Sequence, residues 1–217
     1  MKMTKQQVRE RIREIGIVPV VRAETAELAR GAADAVNAGG IPIVEITMTV
    51  PGAVSVIEQL SNAVGDSVLI GAGTVLDQAT AADCLRAGAQ FLVSPGFDRA
   101  TVEFAGEQDI LMMAGALTPT EAITAWKASS DIVKIFPAGN VGGPAYIKAL
   151  KAALPQIPMI PTGGVNLSTA GPFLKAGAEA LGVGGDLVSG AKLKAGDFAG
   201  ITAAASAFLE AVKAARE

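Results

Sequence analysis

The chain has 217 residues, half of them hydrophobic, with 18 basic against 21 acidic side chains, a net charge of −3 and no histidine. That size and apolar content suit one domain spanning 1–217, and mild acidity with few aromatics argues against a nucleic-acid partner. Without histidine no Ser–His or Cys–His pair and no histidine-ligated zinc can exist, so no metal or other cofactor is expected and proton transfer falls to carboxylates, lysine, tyrosine or water.

The polar opening Met1–Arg13 lacks the make-up of a signal peptide, and no apolar stretch of membrane-spanning length is read after it, so a cytoplasmic protein with no membrane partner is expected. The first element is an amphipathic helix over 4–14. Strand 17–22 and helix 25–38 follow, then strand 41–47 with helix 52–63, and strand 68–74 with helix 77–87. Strand 90–94 leads to helix 98–107, strand 110–115 to helix 119–128, and strand 131–136 to helix 143–153. Strand 157–162, helix 168–176, strand 179–184 and a last helix near 198–214 complete the series. Asp77, Asp98, Thr118-Pro119 and Ser168 mark helix starts, and Gly39-Gly40, Gly88 and Gly177 mark stops. Cys84, the single cysteine, excludes an internal disulfide and reads as small helical packing material. Strict alternation implies a parallel sheet, and eight such units match an α/β fold of the (β/α)₈ (TIM) barrel type with an extra N-terminal helix. An open doubly wound sheet would want a phosphate fingerprint after the first strand, which Arg22-Ala23-Glu24-Thr25 does not supply.

Lys134 stands inside the apolar run Asp131-Ile132-Val133-Lys134-Ile135-Phe136-Pro137, where an ammonium has no cheap place. Burial disfavours a charged amine, and a neutral amine attacks carbonyls. A lysine that snorkels to water, or pairs with a carboxylate, would explain the residue without chemistry. The neighbouring strands argue otherwise. Alternation puts Ile132 and Phe136 on the side of Lys134, and an inward Glu45 carries Ile43 and Thr47 with it. Strand one ends on Arg22, strand three on Thr74 and strand seven on Thr162, at the end where such barrels hold active sites. A buried Glu45–Lys134 pair is a poor stabilising device, because desolvation takes back what attraction gives. Arg22 as a solvated loop charge and Thr74 as a turn residue are each bland explanations. A Lys, a Glu, an Arg and two Thr at corresponding heights on five strands are harder to dismiss. The glycine pairs Gly163-Gly164 and Gly184-Gly185 follow strands seven and eight, where barrels bind phosphate through backbone N–H groups. Either pair alone would suit any close turn; both together point to an anion site.

From about Ile17 to Val188 the chain resembles the 2-keto-3-deoxy-6-phosphogluconate (KDPG) / 4-hydroxy-2-oxoglutarate (KHG) aldolases, which are class I, Schiff-base-forming lyases. The resemblance rests on Val18-Pro19-Val20-Val21-Arg22, Val44-Glu45-Ile46-Thr47, Gly71-Ala72-Gly73-Thr74-Val75, Val93-Ser94-Pro95-Gly96, Lys134-Ile135-Phe136-Pro137, Pro161-Thr162-Gly163-Gly164 and Gly182-Val183-Gly184-Gly185. It implies a barrel, usually a homotrimer, that cleaves a small-molecule keto acid: KDPG to pyruvate and glyceraldehyde 3-phosphate, KHG to pyruvate and glyoxylate, or both. By the same resemblance Lys134 forms the Schiff base, Glu45 is the general acid/base, and Pro95 and Phe136 join the substrate-binding residues. Many members bind the substrate carboxylate with an arginine four residues after the glutamate, where this chain has Thr49. Another branch uses an arginine at the end of strand one, so the carboxylate is assigned to Arg22 with Thr74 and Thr162 helping. A serine often found in the last phosphate loop is here Asp186, expected to face away from the anion so that phosphate is tolerated. Two other readings compete: a different phosphate-binding barrel isomerase or synthase, and a non-catalytic trimeric assembly protein. Neither needs a carbonyl-reactive lysine inside strand six.

Overall fold

Short β-branched runs and alanine-rich helices alternate along the chain, and the computed structural model, which describes residues 3–217, folds them into a ring of parallel strands. The strands are β1 (Ile17–Val21), β2 (Ile43–Thr47), β3 (Leu69–Gly73), β4 (Phe91–Val93), β5 (Leu111–Ala116), β6 (Ile132–Ile135), β7 (Met159–Pro161) and β8 (Leu181–Val183). They pair in the order β7-β6-β5-β4-β3-β2-β1-β8. A parallel bridge from Thr162 to Gly182 joins the two ends and closes the barrel. Glycine is needed at that seam, because a Cβ on Gly182 would stand 2.1 Å from Thr162 Oγ1.

The helices are α1 (Lys5–Ile15), α2 (Ala26–Ala38), α3 (Ala53–Val64), α4 (Gln78–Arg86), α5 (Arg99–Glu107), α6 (Pro119–Lys127), α7 (Pro144–Ala153), α8 (Leu167–Lys175), α9 (Gly190–Lys194) and α10 (Phe198–Arg216). The expected starts at Asp77, Asp98 and Thr118 are confirmed, each side chain accepting a backbone N–H of the first turn. Helix α8 corrects the fourth. Its cap is Asn166, whose Oδ1 accepts from the Ser168 and Thr169 amides, while Thr169 Oγ1 accepts from the Asn166 amide.

Strands β4, β7 and β8 are three residues each, shorter than expected, because pairing stops where the chain turns into the loops. The five-residue α9 and a 3₁₀ turn at Ala138–Val141 were not foreseen; both are too short to show a hydrophobic period. Helix α10 also corrects the reading that nothing is of membrane-spanning length. At 19 residues and mean hydropathy 1.3 it is long and apolar enough by composition. It lies along α2 and α8, with Ile201, Ala205, Phe208 and Val212 buried. Thr202 and Ser206 hydroxyls donate to the Ala35 and Gly39 carbonyls, fastening it to the end of α2.

Helix α1 lies at the amino-terminal mouth. Lys5 pairs with Asp131 at 2.9 Å, and Arg9 grips Glu179 in two bonds of 2.9 and 3.0 Å, just ahead of β6 and β8. That leaves the carboxyl-terminal mouth for chemistry.

Candidate active site

Lys134 lies on β6 in register with Gly115 of β5 and Ile160 of β7, and Glu45 lies on β2 between Val20 and Gly71. Both side chains enter the barrel, and Lys134 Nζ stands 3.8 Å from Glu45 Oε1, with side-chain exposures of 4% and 3%. That separation permits charge attraction but is too long for a hydrogen bond. Glu45 Oε1 is the buried side-chain atom left without a hydrogen-bond partner among the described residues. An unpaired carboxylate oxygen inside a core is costly, and here it faces the amine, free to accept from a hydroxyl brought between them. The Phe136 ring lies just past the end of β6 with its centroid 5.5 Å from Lys134 Nζ, within cation–π range.

Two glycines make this arrangement possible. The Glu45 side chain folds onto β3, where a Cβ on Gly73 would stand 2.0 Å from Oε1. A Cβ on Gly115 would stand 2.2 Å from the Pro95 carbonyl oxygen, so the Pro95 backbone rests directly on the strand partner of Lys134. Ser94 fixes that loop by donating to the Gly96 carbonyl at 2.6 Å. Thr74 follows Gly73 with φ 58°, a left-handed conformation that β-branched residues rarely adopt. Its neighbours pin it there: the Gly73 carbonyl accepts from the Met48 amide, and the Val75 amide donates to the Val93 carbonyl. Strain of this kind persists where surrounding structure over-determines it, and it gathers at functional sites.

A cleft of about 90 Å³ opens at the carboxyl-terminal ends of β1, β6, β7 and β8. It unites Arg22, Phe136, Thr162, Gly163, Gly164, Gly184 and Gly185. Thr74 and Pro95 do not line it. Asp186 stands at its rim and is exposed to solvent. Thr162 is 4% exposed, and its Oγ1 rests against Gly182 across the seam of the barrel. Arg22 is exposed and forms no ion pair among them; its Nη1 comes within 3.1 Å of the place a Cβ on Gly184 would take. A larger hollow of about 780 Å³ lies at the other mouth, lined by Lys5, Arg9, Arg13, Asp109 and Asp131. It lies at the mouth opposite the ends of β1, β6, β7 and β8, whereas the smaller cleft includes Phe136, whose ring stands over Lys134. Among the described residues no three Cys, Asp or Glu side chains gather as metal ligands.

Sequence reasoning missed Gly73 as the clearance for Glu45. The signal was the pairing of a buried carboxylate with Cβ-free positions on the adjoining strand. Thr47 was read only as facing inward with Glu45; its hydroxyl also donates to the Val21 carbonyl at 3.0 Å and ties β2 to the residue before Arg22.

A family model described as KDPG and KHG aldolase matches residues 8–204. A 2-dehydro-3-deoxy-phosphogluconate aldolase of Treponema pallidum is 34% identical over 204 residues, covering 94% of this chain and 96% of that protein. A KHG/KDPG aldolase of Escherichia coli is 33% identical over 198 residues, covering 91% and 92%. The crystal structure of KDPG aldolase from Legionella pneumophila, with pyruvate captured at low pH as a covalent carbinolamine intermediate, superposes with a TM-score of 0.86. It is 30% identical and covers 93% of this chain and 97% of that one.

Proposed function

Because the chain belongs to the KDPG and KHG aldolase family, we propose that it is a class I aldolase cleaving a 2-keto-4-hydroxy acid to pyruvate and an aldehyde through an imine on Lys134. The observation that carries this reading is the meeting of a buried amine and a buried, unpartnered carboxylate oxygen 3.8 Å apart at the centre of the barrel. Neutral Lys134 attacks the C2 carbonyl, and loss of water leaves a protonated imine. As C3–C4 breaks, its electron pair passes into that imine, giving an enamine. Glu45, directly or through water, takes the C4 hydroxyl proton while the aldehyde departs. Protonation at C3 and hydrolysis then release pyruvate and the amine. The covalent step replaces a poor carbanion with a neutral enamine, and an iminium sink leaves no task for a metal.

In this reading Thr74, Thr162, Pro95 and Phe136 shape the bed of the keto acid. Arg22 holds one of its anionic groups, and Gly163, Gly164, Gly184 and Gly185 offer backbone N–H groups to a phosphate at the aldehyde end. We place the enzyme in the cytoplasm as a homotrimer, which sedimentation would show as three 21.9 kDa chains. Support for the trimer comes from the family resemblance.

The activity is tested by measuring pyruvate released from KDPG, from its unphosphorylated counterpart and from KHG. Wild type should release it from at least one donor. Lys134→Met, which nearly conserves volume, should fall by at least about 10³-fold on every donor. A variant that keeps a tenth of the wild-type rate would refute the imine on Lys134.

A further inference from the structure

Strand β2 ends on Thr47, whose side chain is fully buried. Valine has nearly the same shape and suits a buried strand position as well, so a hydroxyl there, which must be bonded when buried, needs a reason. Its single proton goes to the Val21 carbonyl at 3.0 Å. The second contact, 2.6 Å to Thr49 Oγ1, must therefore run the other way, with Thr49 donating and Thr47 accepting. The three groups form a one-way relay, Thr49 to Thr47 to Val21, from the exposed mouth down to the end of β1.

What the relay holds is the base of Arg22. Strand β1 pairs with β2 through Val20 with Glu45 and Val21 with Ile46, and there the pairing stops; continuing that register puts Thr47 level with Arg22. The Val21 carbonyl and the Arg22 amide belong to one planar peptide unit. A bond to that oxygen fixes the plane from which the Arg22 Cα, and with it the long side chain, sets out. On its other side Thr47 is paired with Gly73 of β3, so the anchor itself is firmly set. Arg22 needs an anchor, because its exposed guanidinium forms no ion pair among the described residues to steady it.

We infer that Thr47 is a positioning residue for Arg22, and that Thr49 backs it by spending its own proton on Thr47 rather than on the substrate. This rests on the aldolase reading above, in which Arg22 holds an anionic group of the keto acid. Thr47 also shares its strand face with Glu45, two residues earlier, so the experiment has to separate the two.

Steady-state kinetics on the donor that wild type cleaves best, together with crystal structures of the variants, make the test. Thr47→Val keeps the shape and removes the hydroxyl; it should raise KM about fivefold or more, with kcat within about threefold of wild type. Thr47→Ser keeps the hydroxyl and should hold KM within about twofold of wild type. In an Arg22→Ala background Thr47→Val should change KM by less than about twofold, since the arginine it places is gone. A fall in kcat with KM unchanged would assign Thr47 to Glu45 instead. An equal KM rise in both backgrounds, or no rescue by serine, would make the hydroxyl merely structural, and any of these three results overturns the inference. Thr49→Val should raise KM less than Thr47→Val does; a larger rise would overturn the part given to Thr49. In the crystal, Thr47→Val should shift the Arg22 guanidinium by about 1 Å or more and leave Glu45 in place, whereas an unmoved arginine refutes the relay. A wild type that releases no pyruvate from any donor would sink the aldolase reading, while the crystal structures would still judge the relay.

Discussion

The Gly73→Ala variant places a methyl group where the Glu45 carboxylate lies. The new carbon would stand 2.0 Å from Oε1, 2.6 Å from Cδ and 2.7 Å from Cγ. Carbon pairs rest at about 3.5–4.0 Å, so the carboxylate must retreat by roughly 1.5 Å or β3 must move. Strand β3 is held between β2 and β4, with Glu45 paired to Gly71 and Gly71 to Phe91, so the side chain yields first. Misplacing a catalytic group by about 1 Å costs on the order of 10² in rate. We therefore expect kcat to fall about 100-fold with KM little changed, beside a stability loss of about 1–3 kcal/mol from overpacking. Steady-state kinetics and denaturant midpoints measure the two effects separately. The decisive comparison is made in a Glu45→Ala background, already slow, where the methyl meets no carboxylate. There Gly73→Ala should change kcat by less than about threefold, a strong non-additivity of the kind expected between touching residues. An equal loss in both backgrounds, or no loss in wild type, would refute the placement of Glu45 by Gly73.

Cys84 is fully buried, its thiol donates to Met48 Sδ at 3.6 Å, and burial pushes its pKa up to about 11. Folded protein should therefore resist iodoacetamide at pH 8 and be alkylated once unfolded, as mass spectrometry would show; fast labelling of the native chain would contradict its burial. The Glu121 carboxyl is held below its ordinary value chiefly by the Thr118 amide, with help from the Leu117 amide. A lowered folded pKa means that its contribution is complete above the ordinary carboxylate range of about 4–5 and is lost as the pH falls through the folded value. Glu121→Gln should thus lower the melting temperature at pH 7, with the difference shrinking in acid; a difference that grows in acid would reverse the sign.

Much of the site was legible because its chemistry violates local pattern. Lys134 and Glu45 are charges inside β-branched strands, and period-two alternation sends both to the same interior. The glycine pairs were legible by position, since the closing strands of a barrel bring their loops together. The directions of the Arg22 and Asp186 side chains were not, because both residues lie past the last paired residue of their strands, where no period fixes direction. Gly73 was silent for another reason: its role depends on a glutamate on the neighbouring strand leaning sideways. Helix α10 misled in its own way. Its alanines make it apolar enough for a membrane span, while only one stripe of it meets the barrel. Asn166 was overlooked for Ser168 because both are good caps and the helical period does not separate neighbours two residues apart.

The account stands on one covalent bond. Incubating the folded enzyme with pyruvate and borohydride, digesting it and sequencing the peptides by mass spectrometry tests it most directly. The account predicts loss of activity together with a reduced pyruvyl adduct on Lys134, and no adduct in Lys134→Met. An adduct on a different lysine, or full activity surviving the treatment while the enzyme turns over its donor, would contradict it.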